Sequence, residues 1–327
     1  MNPTSLFAYL FAIAITSASA LPTFLDDNIH KRSFVPYAKK ETQNVTGVLN
    51  TGGAETNVTS NSSIIVNPNS LNTTNITLYE LNNVSSWANS TQVATNLTSL
   101  VITCAHSSLE STGFYFGLAY PNETVVISEN TTLGLAVSKA WETWGRGTVV
   151  VDQWGYIYSA ISYPSCPIGY VSWKSLKVTY YYEASLVSIL TPSSPLYSWK
   201  NHTAFNTSTV TSNISSTVPI YYFNGSKSSN SSSSSIPGLN NLVYSVVVVG
   251  VENTTIANEF KMSSNTSMNP IVVFASNNGT GFIDQEELTV GGALGAGYLS
   301  PEKVSVLLSF ALAAGLNTWE QLWSILP

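Results

Sequence analysis

The 327-residue chain predicts a mainly β fold, an antiparallel sandwich-like core with a small C-terminal α+β segment. Three observations carry that expectation. Short runs rich in Val, Ile and Tyr recur between residues 100 and 182. Turn clusters such as Tyr120-Pro121-Asn122, Gly145-Arg146-Gly147 and Tyr163-Pro164-Ser165 punctuate them. Among them only Leu133 to Trp144 reads as helix.

Residues 1–20 read as a signal peptide. Leu6 to Thr16 is an unbroken apolar or small run, too short to cross a bilayer, and Ser17-Ala18-Ser19-Ala20 offers cleavage after Ala20. His30-Lys31-Arg32 resembles the dibasic sites cut by kexin-type proteases in fungal secretory precursors, so 21–32 is a candidate propeptide and Ser33 the expected mature start. Residues 33–99, dominated by Asn, Ser and Thr, read as a glycosylated region, either an extended stalk or short polar strands. The β-rich domain is placed at 100–225. Its strands are Leu100 to Cys104, Gly113 to Ala119, Thr124 to Ile127, Thr148 to Val151, Trp154 to Ile161 and Tyr170 to Tyr182.

A Ser-rich linker follows at 226–238, and the C-terminal α+β segment at 239–327. That segment opens with the β-branched runs Leu242 to Val251 and Ile271 to Phe274. Ser300-Pro301-Glu302 then starts a helix that Gly315 stops, and Thr318 caps a short final one. Val304 to Leu316 is apolar nearly all round, which suits a core helix or, alternatively, a membrane-active one.

Eighteen Asn-x-Ser/Thr acceptors mark the chain: Asn44, Asn57, Asn61, Asn72, Asn75, Asn83, Asn89, Asn96, Asn122, Asn130, Asn201, Asn206, Asn213, Asn224, Asn230, Asn253, Asn265 and Asn278. With 30 Asn, and Ser and Thr roughly a quarter of the chain, chance gives only about 7 or 8. The excess predicts a secreted glycoprotein. It fits a charged fraction of only 9%, since covalent sugar hydrates the surface where Lys and Glu otherwise would. The net charge of −6, with Arg146 the one arginine after processing, excludes a phosphate-neutralising surface and hence nucleic acid as a partner.

Cys104 and Cys166 are an even pair in an oxidising pathway, and a bridge is expected between them, worth about 4 kcal/mol in the chain-entropy picture. No metal, cofactor or catalytic residue is expected. After processing the chain keeps Asp152, Asp284, His106 and His202, no serine lies in a nucleophile elbow, and Glu110, Glu123, Glu129, Glu142, Asp152 and Glu183 show no paired spacing. Ser276 to Glu287 looks like an EF-hand loop, with Gly281 and Glu287 in place, but Ser276 and Thr280 stand where acids belong.

No acceptor lies between Asn130 and Asn201, a window holding five of the eight tryptophans. The preferred expectation makes these aromatics the β core. The alternative is a sugar-free binding face at Trp141, Trp144, Trp154 and Tyr156. The function expected is a fungal extracellular or cell-wall glycoprotein with a structural, adhesive or binding role, its partner a wall polysaccharide or another surface protein. The alternative rests on a signal run, a dibasic site and an apolar segment, which in organisation resemble yeast killer-toxin precursors acting on membranes.

Overall fold

The computed structural model describes residues 45–53, 58–59, 61–67, 71, 76–95, 97–120, 123–181, 217–225, 245–260 and 270–327. Contacts divide the chain into Met1–Gln43 and Asn44–Pro327, and every described residue belongs to the second unit. The signal, propeptide and linker expectations lie outside the described residues.

The predicted antiparallel sandwich is overturned. An eight-stranded mixed sheet runs in the order β2-β1-β3-β4-β5-β6-β7-β8, and a four-stranded sheet in the order β12-β11-β10-β9. In the first, β1 (Thr46–Asn50), β2 (Ile64–Val66), β3 (Ser99–Thr103), β4 (Val125–Ser128) and β5 (Thr148–Val151) are parallel. Only β6 (Tyr156–Ser159), β7 (Pro167–Val171) and β8 (Val178–Tyr180) pair antiparallel. The second sheet, β9 (Ile220–Tyr222), β10 (Val246–Val251), β11 (Ile271–Ser276) and β12 (Leu294–Gly295), is parallel throughout. Strands β3, β4, β5 and β10 are buried at every position, as strands covered on both faces must be. A boundary at residue 100 cuts through the first sheet, which takes β1 and β2 from the segment expected to be an extended stalk or short polar strands.

Helices supply the cover. Helix α1 (Leu78–Thr95) lies in the Asn/Ser/Thr-rich segment. It buries Leu78, Leu81, Val84 and Ala88, and Thr77 and Glu80 close its start reciprocally, Glu80 Oε2 accepting from Thr77 N at 2.7 Å and Thr77 Oγ1 from Glu80 N at 3.3 Å. Helix α2 (Leu109–Ala119) occupies the stretch Gly113 to Ala119 that was expected to be a strand. The β propensity of Phe114, Tyr115 and Phe116 yields to burial on several sides at once. A Cβ on Gly113 would stand 2.6 Å from Val150, so glycine lets α2 settle onto β5. Helix α3 (Thr131–Lys139) covers the opposite face, with Leu133 and Val137 against Val101, Val126, Val149 and Val151.

Helix α4 (Thr254–Asn258) packs under the second sheet, where Ala257 joins Val247, Val249 and Phe274. Helix α5 (Pro301–Ala313) starts at its Ser300 cap as expected, and α6 (Trp319–Trp323) carries a full capping box from Thr318 and Gln321. One core cluster holds Leu49, Ile102, Ile127 and Val150 of the first sheet, Phe114 and Phe116 of α2, Leu307, Leu308 and Phe310 of α5, and Val246, Val248 and Val273 of the second sheet. The apolar stretch Val304 to Leu316 is thus largely interior, which accounts for its all-round hydrophobicity without a membrane. Among the described residues no helix is long and apolar enough to cross one.

Candidate functional site

In the order 2-1-3-4-5 the direction in which strands are added to the sheet reverses between β1 and β3. Such a switch point opens a crevice outside the carboxyl ends of the strands. The residues delivered there are Asn50 to Gly53 after β1, Cys104 to His106 after β3, Glu129 after β4 and Asp152 after β5. Thr51 is buried, its amide and hydroxyl both donating to the Thr103 carbonyl at 2.7 and 2.9 Å. Gly53 has φ +110°, and a Cβ there would meet the Cys104 carbonyl at 2.8 Å and that of Glu129 at 3.0 Å. Only glycine fits that crossing.

Above this loop the His106 Nδ1 and Glu129 Oε1 stand 2.8 Å apart, with the imidazole 61% exposed. This is a base with its orienting carboxylate. A hydrolytic site also needs a nucleophile within reach, and among the described residues no hydroxyl or thiol bonds to the imidazole. The nearby Cys104 thiol is fully buried and pushed up to about 12, chiefly by burial, with the Thr112 hydroxyl opposing and the Glu129 charge adding, so it stays protonated and inert.

A cleft of about 300 Å³ is lined by Glu110, Tyr163, Asn278, Tyr298, Ser300 and Lys303 among others. Glu110, in the first turn of α2, accepts from Ser300 Oγ at 2.7 Å and pairs with Lys303 Nζ at 3.3 Å. Lys303 Nζ also donates to the carbonyls of Ile161 at 2.8 Å and Tyr163 at 2.7 Å. Its three protons therefore have three acceptors. Burial lowers the lysine pKa, while Glu110 works in the other direction. Burial also raises the Tyr163 hydroxyl well above the usual phenol range, helped by the charges of Glu129, Asp152 and Glu110. The cleft floor is thus an internal clamp joining the 161–165 turn to α2 and α5, rather than a set of groups waiting for substrate.

The third surface is aromatic. Trp154 is 59% exposed, and Tyr156 and Trp173 are exposed as well, so these rings are not the core they were expected to be, although Tyr158 and Tyr163 of the same window are buried. Asp152 holds the β5–β6 turn rigid, its carboxylate accepting from the Trp154 and Tyr156 amides at 3.0 and 2.9 Å and from the Tyr158 hydroxyl at 3.1 Å. Trp173 Nε1 donates to the Gln153 carbonyl at 3.0 Å and ties the β7–β8 turn to this one. Tyr156, Tyr170 and Thr179 stand opposite one another across β6, β7 and β8 and so share a sheet face. The rings of Tyr156 and Tyr170 meet at 5.5 Å.

Trp141 and Trp144 do not belong to this surface. Their turn follows α3 on the other face, where the Thr143 hydroxyl meets that of Tyr180 at 2.8 Å and Arg146 lies 4.1 Å over the Tyr180 ring. Tyr180, one residue after Thr179, points away from the Tyr156–Tyr170 face. Sequence reasoning found Trp154 and Tyr156 but missed Tyr170 and Trp173, which only the pairing of β6 with β7 and the Trp173–Gln153 hydrogen bond bring to this surface.

No protein-family profile matches the chain. The sporulation-specific wall maturation protein of Saccharomyces cerevisiae is 30% identical over 349 aligned residues, spanning 100% of this chain and 99% of that one. The chain belongs to the family of that wall maturation protein. Protein YGP1 of the same yeast is 28% identical over 268 residues, with 79% of this chain and 72% of that protein covered. Among solved structures, a probable cytoplasmic L-asparaginase from Campylobacter jejuni superposes with a TM-score of 0.61 over 86% of this chain and 98% of that one. At 14% identity the likeness is one of fold, and it places the mixed and parallel sheets in an α/β architecture.

In this member of the wall-maturation family the acceptors that fall on described side chains are Asn61, Asn83, Asn130, Asn224, Asn253 and Asn278, all exposed except the half-buried Asn130. Asn130 and Asn253 cap α3 and α4 through Oδ1, which leaves Nδ2 for sugar. Asn89 lies within α1, and the other acceptors lie outside the described residues. The expected bridge is absent, since Cys104 and Cys166 are both free, one buried and one exposed. They flank β3 and β7, which are four inter-strand steps apart in the sheet order. That is roughly 19 Å, against about 6 Å between bridged Cα atoms. The EF-hand-like loop has its first residue, Ser276, buried at the end of β11, and no group of three or more His, Cys, Asp or Glu among the described residues is placed to hold a metal.

Proposed function

We propose that this protein is a secreted glycoprotein of a fungal wall or extracellular surface that holds wall polysaccharide on the aromatic face of β6 to β8, acting by binding rather than catalysis. One observation carries the reading: Trp154, Tyr156 and Trp173 remain exposed, with Tyr170 packed against Tyr156, on a turn and strands made rigid by Asp152 and the Trp173 indole. An exposed apolar patch of this kind marks an interaction surface, and Tyr and Trp combine a flat apolar ring with a polar edge. Such rings suit the alternating CH and hydroxyl faces of a sugar chain. The stretch from Asn130 to Asn201 carries no acceptor that would screen the patch. The relative named for wall maturation supports a wall setting for the same family.

The test is co-sedimentation of the purified protein with insoluble β-glucan and with chitin. The double variant Trp154→Ala, Tyr170→Ala should bind about tenfold more weakly while still unfolding in a single cooperative transition. Equal binding by variant and wild type would sink the proposal.

A further inference from the structure

The 300 Å³ cleft between the 161–165 turn, the 276–279 turn and the start of α5 has Asn278 in its wall. Asn278-Gly279-Thr280 is a glycosylation acceptor, and the asparagine is exposed. Its Oδ1 accepts from the Thr280 hydroxyl at 3.4 Å and its backbone amide donates to Ser276 Oγ at 3.2 Å, while Nδ2 has no hydrogen bond among the described residues. The atom that carries an N-linked sugar is therefore free at the edge of the cleft. The 276–279 turn is fixed across it, because Ser165 Oγ donates to the Gly279 carbonyl at 2.7 Å.

The lining points to the occupant. Tyr298 contributes an exposed ring, Tyr163, Ser162 and Ser165 lie in the wall with it, and the charged groups at the floor, Glu110 and Lys303, already neutralise each other. A neutral, polyhydroxylated group with an apolar ring face fits such a wall, whereas a charged ligand would have to break the Glu110–Lys303 pair. The volume lies at the lower end of small-ligand sites, room for a sugar residue. None of Asn61, Asn83, Asn224 and Asn253 lines this cleft.

We infer that the N-glycan on Asn278 folds back into this cleft and closes it, so that the protein's own sugar occupies it. The attachment is the ordinary secretory transfer. Nδ2 forms a bond to the first sugar carbon of a lipid-linked oligosaccharide and loses one proton, and the lipid pyrophosphate leaves. What is specific to this chain is where the sugar then rests. The inference is independent of polysaccharide binding on the Tyr156–Tyr170 face and stands if that reading fails.

The test uses the secreted, glycosylated protein under native conditions with an endoglycosidase that cuts within the chitobiose core. Release at each acceptor is followed by glycopeptide mass spectrometry. Sugar at Asn278 should be released about tenfold more slowly than sugar at Asn253, with the difference gone after denaturation. Tyr298→Ala should abolish the difference. Thr280→Ala, which removes the acceptor and leaves Asn278 in place, should raise amide hydrogen exchange in residues 161–165 relative to the control Asn253→Gln. An unmodified Asn278, equal release at both sites, protection that survives Tyr298→Ala, or unchanged exchange at 161–165 would each overturn the inference.

Discussion

The two halves of the first sheet differ in what lies over them. Across β3, β4 and β5 every residue is buried, with α2 on one face and α3 on the other. Across β6, β7 and β8 the composition is at least as β-prone and more aromatic, yet Tyr156 is exposed, Tyr170 is half-buried and β8 has no buried residue. Strand propensity is therefore satisfied in both halves and decides nothing about exposure. Helical cover decides it. The face that buries Val150 and Ile127 under α2 continues outward as a row of rings, Tyr156 and Tyr170, that no helix among the described residues buries.

The sharpest way to break this contrast is to delete one ring on each side. Phe116→Ala, inside the covered half, should cost about 3–5 kcal/mol in chemical denaturation, whereas Tyr170→Ala should cost under about 1 kcal/mol. Equal losses would mean that the open half is as much core as the covered one.

Alkaline titration gives the next largest effect. Burial raises the Tyr115 hydroxyl from 10.0 to about 12, with the hydrogen bond donated by Ser85 Oγ working against that shift. A group whose folded pKa is raised keeps its full stabilising effect below the unfolded value. It loses that effect as pH climbs from about 10 towards 12, because the unfolded chain ionises first. Between these limits wild type should lose roughly 2 kcal/mol more than Tyr115→Phe, and comparing the two removes every other titrating group. Parallel curves for the two proteins would deny the burial of this side chain.

A smaller chemical difference separates the cysteines. In the folded protein Cys166 should alkylate readily, while Cys104 should react only after unfolding. A native peptide map containing a Cys104–Cys166 bridge would contradict the separation of β3 from β7. The smallest expected effect is that of Trp154→Ala on stability, less than about 1 kcal/mol by calorimetry for an indole so exposed. A loss of about 3 kcal/mol would return Trp154 to the core.

Several elements could be read from residues alone. The runs at Leu100, Thr124, Thr148, Val246 and Ile271 form strands at or next to those places, and Ser300-Pro301, Gly315 and Thr318 mark helix ends through chemistry local to a few residues. Helix α1 was readable too, since Leu78, Leu81, Val84 and Ala88 fall at helical spacing, but its Asn, Ser and Thr surface masked the stripe. The unbroken runs Thr148 to Val151 and Val246 to Val251 also lacked the alternation of a half-exposed antiparallel sheet, a sign of cover on both faces.

The sequence by itself determined where chain segments extend, where helices begin and stop, and which asparagines offer sugar acceptors, because each depends on near neighbours along the chain. Only the tertiary structure decided that the strands run parallel, that Phe114 to Phe116 sit on a helix between two sheets, that Lys303 clamps Glu110 and the 161–165 turn, and that Trp154 faces out while Trp141 lies on the opposite side. Strand direction and burial depend on which distant segment arrives alongside, and a local pattern of apolar residues is compatible with several such partners until packing selects one.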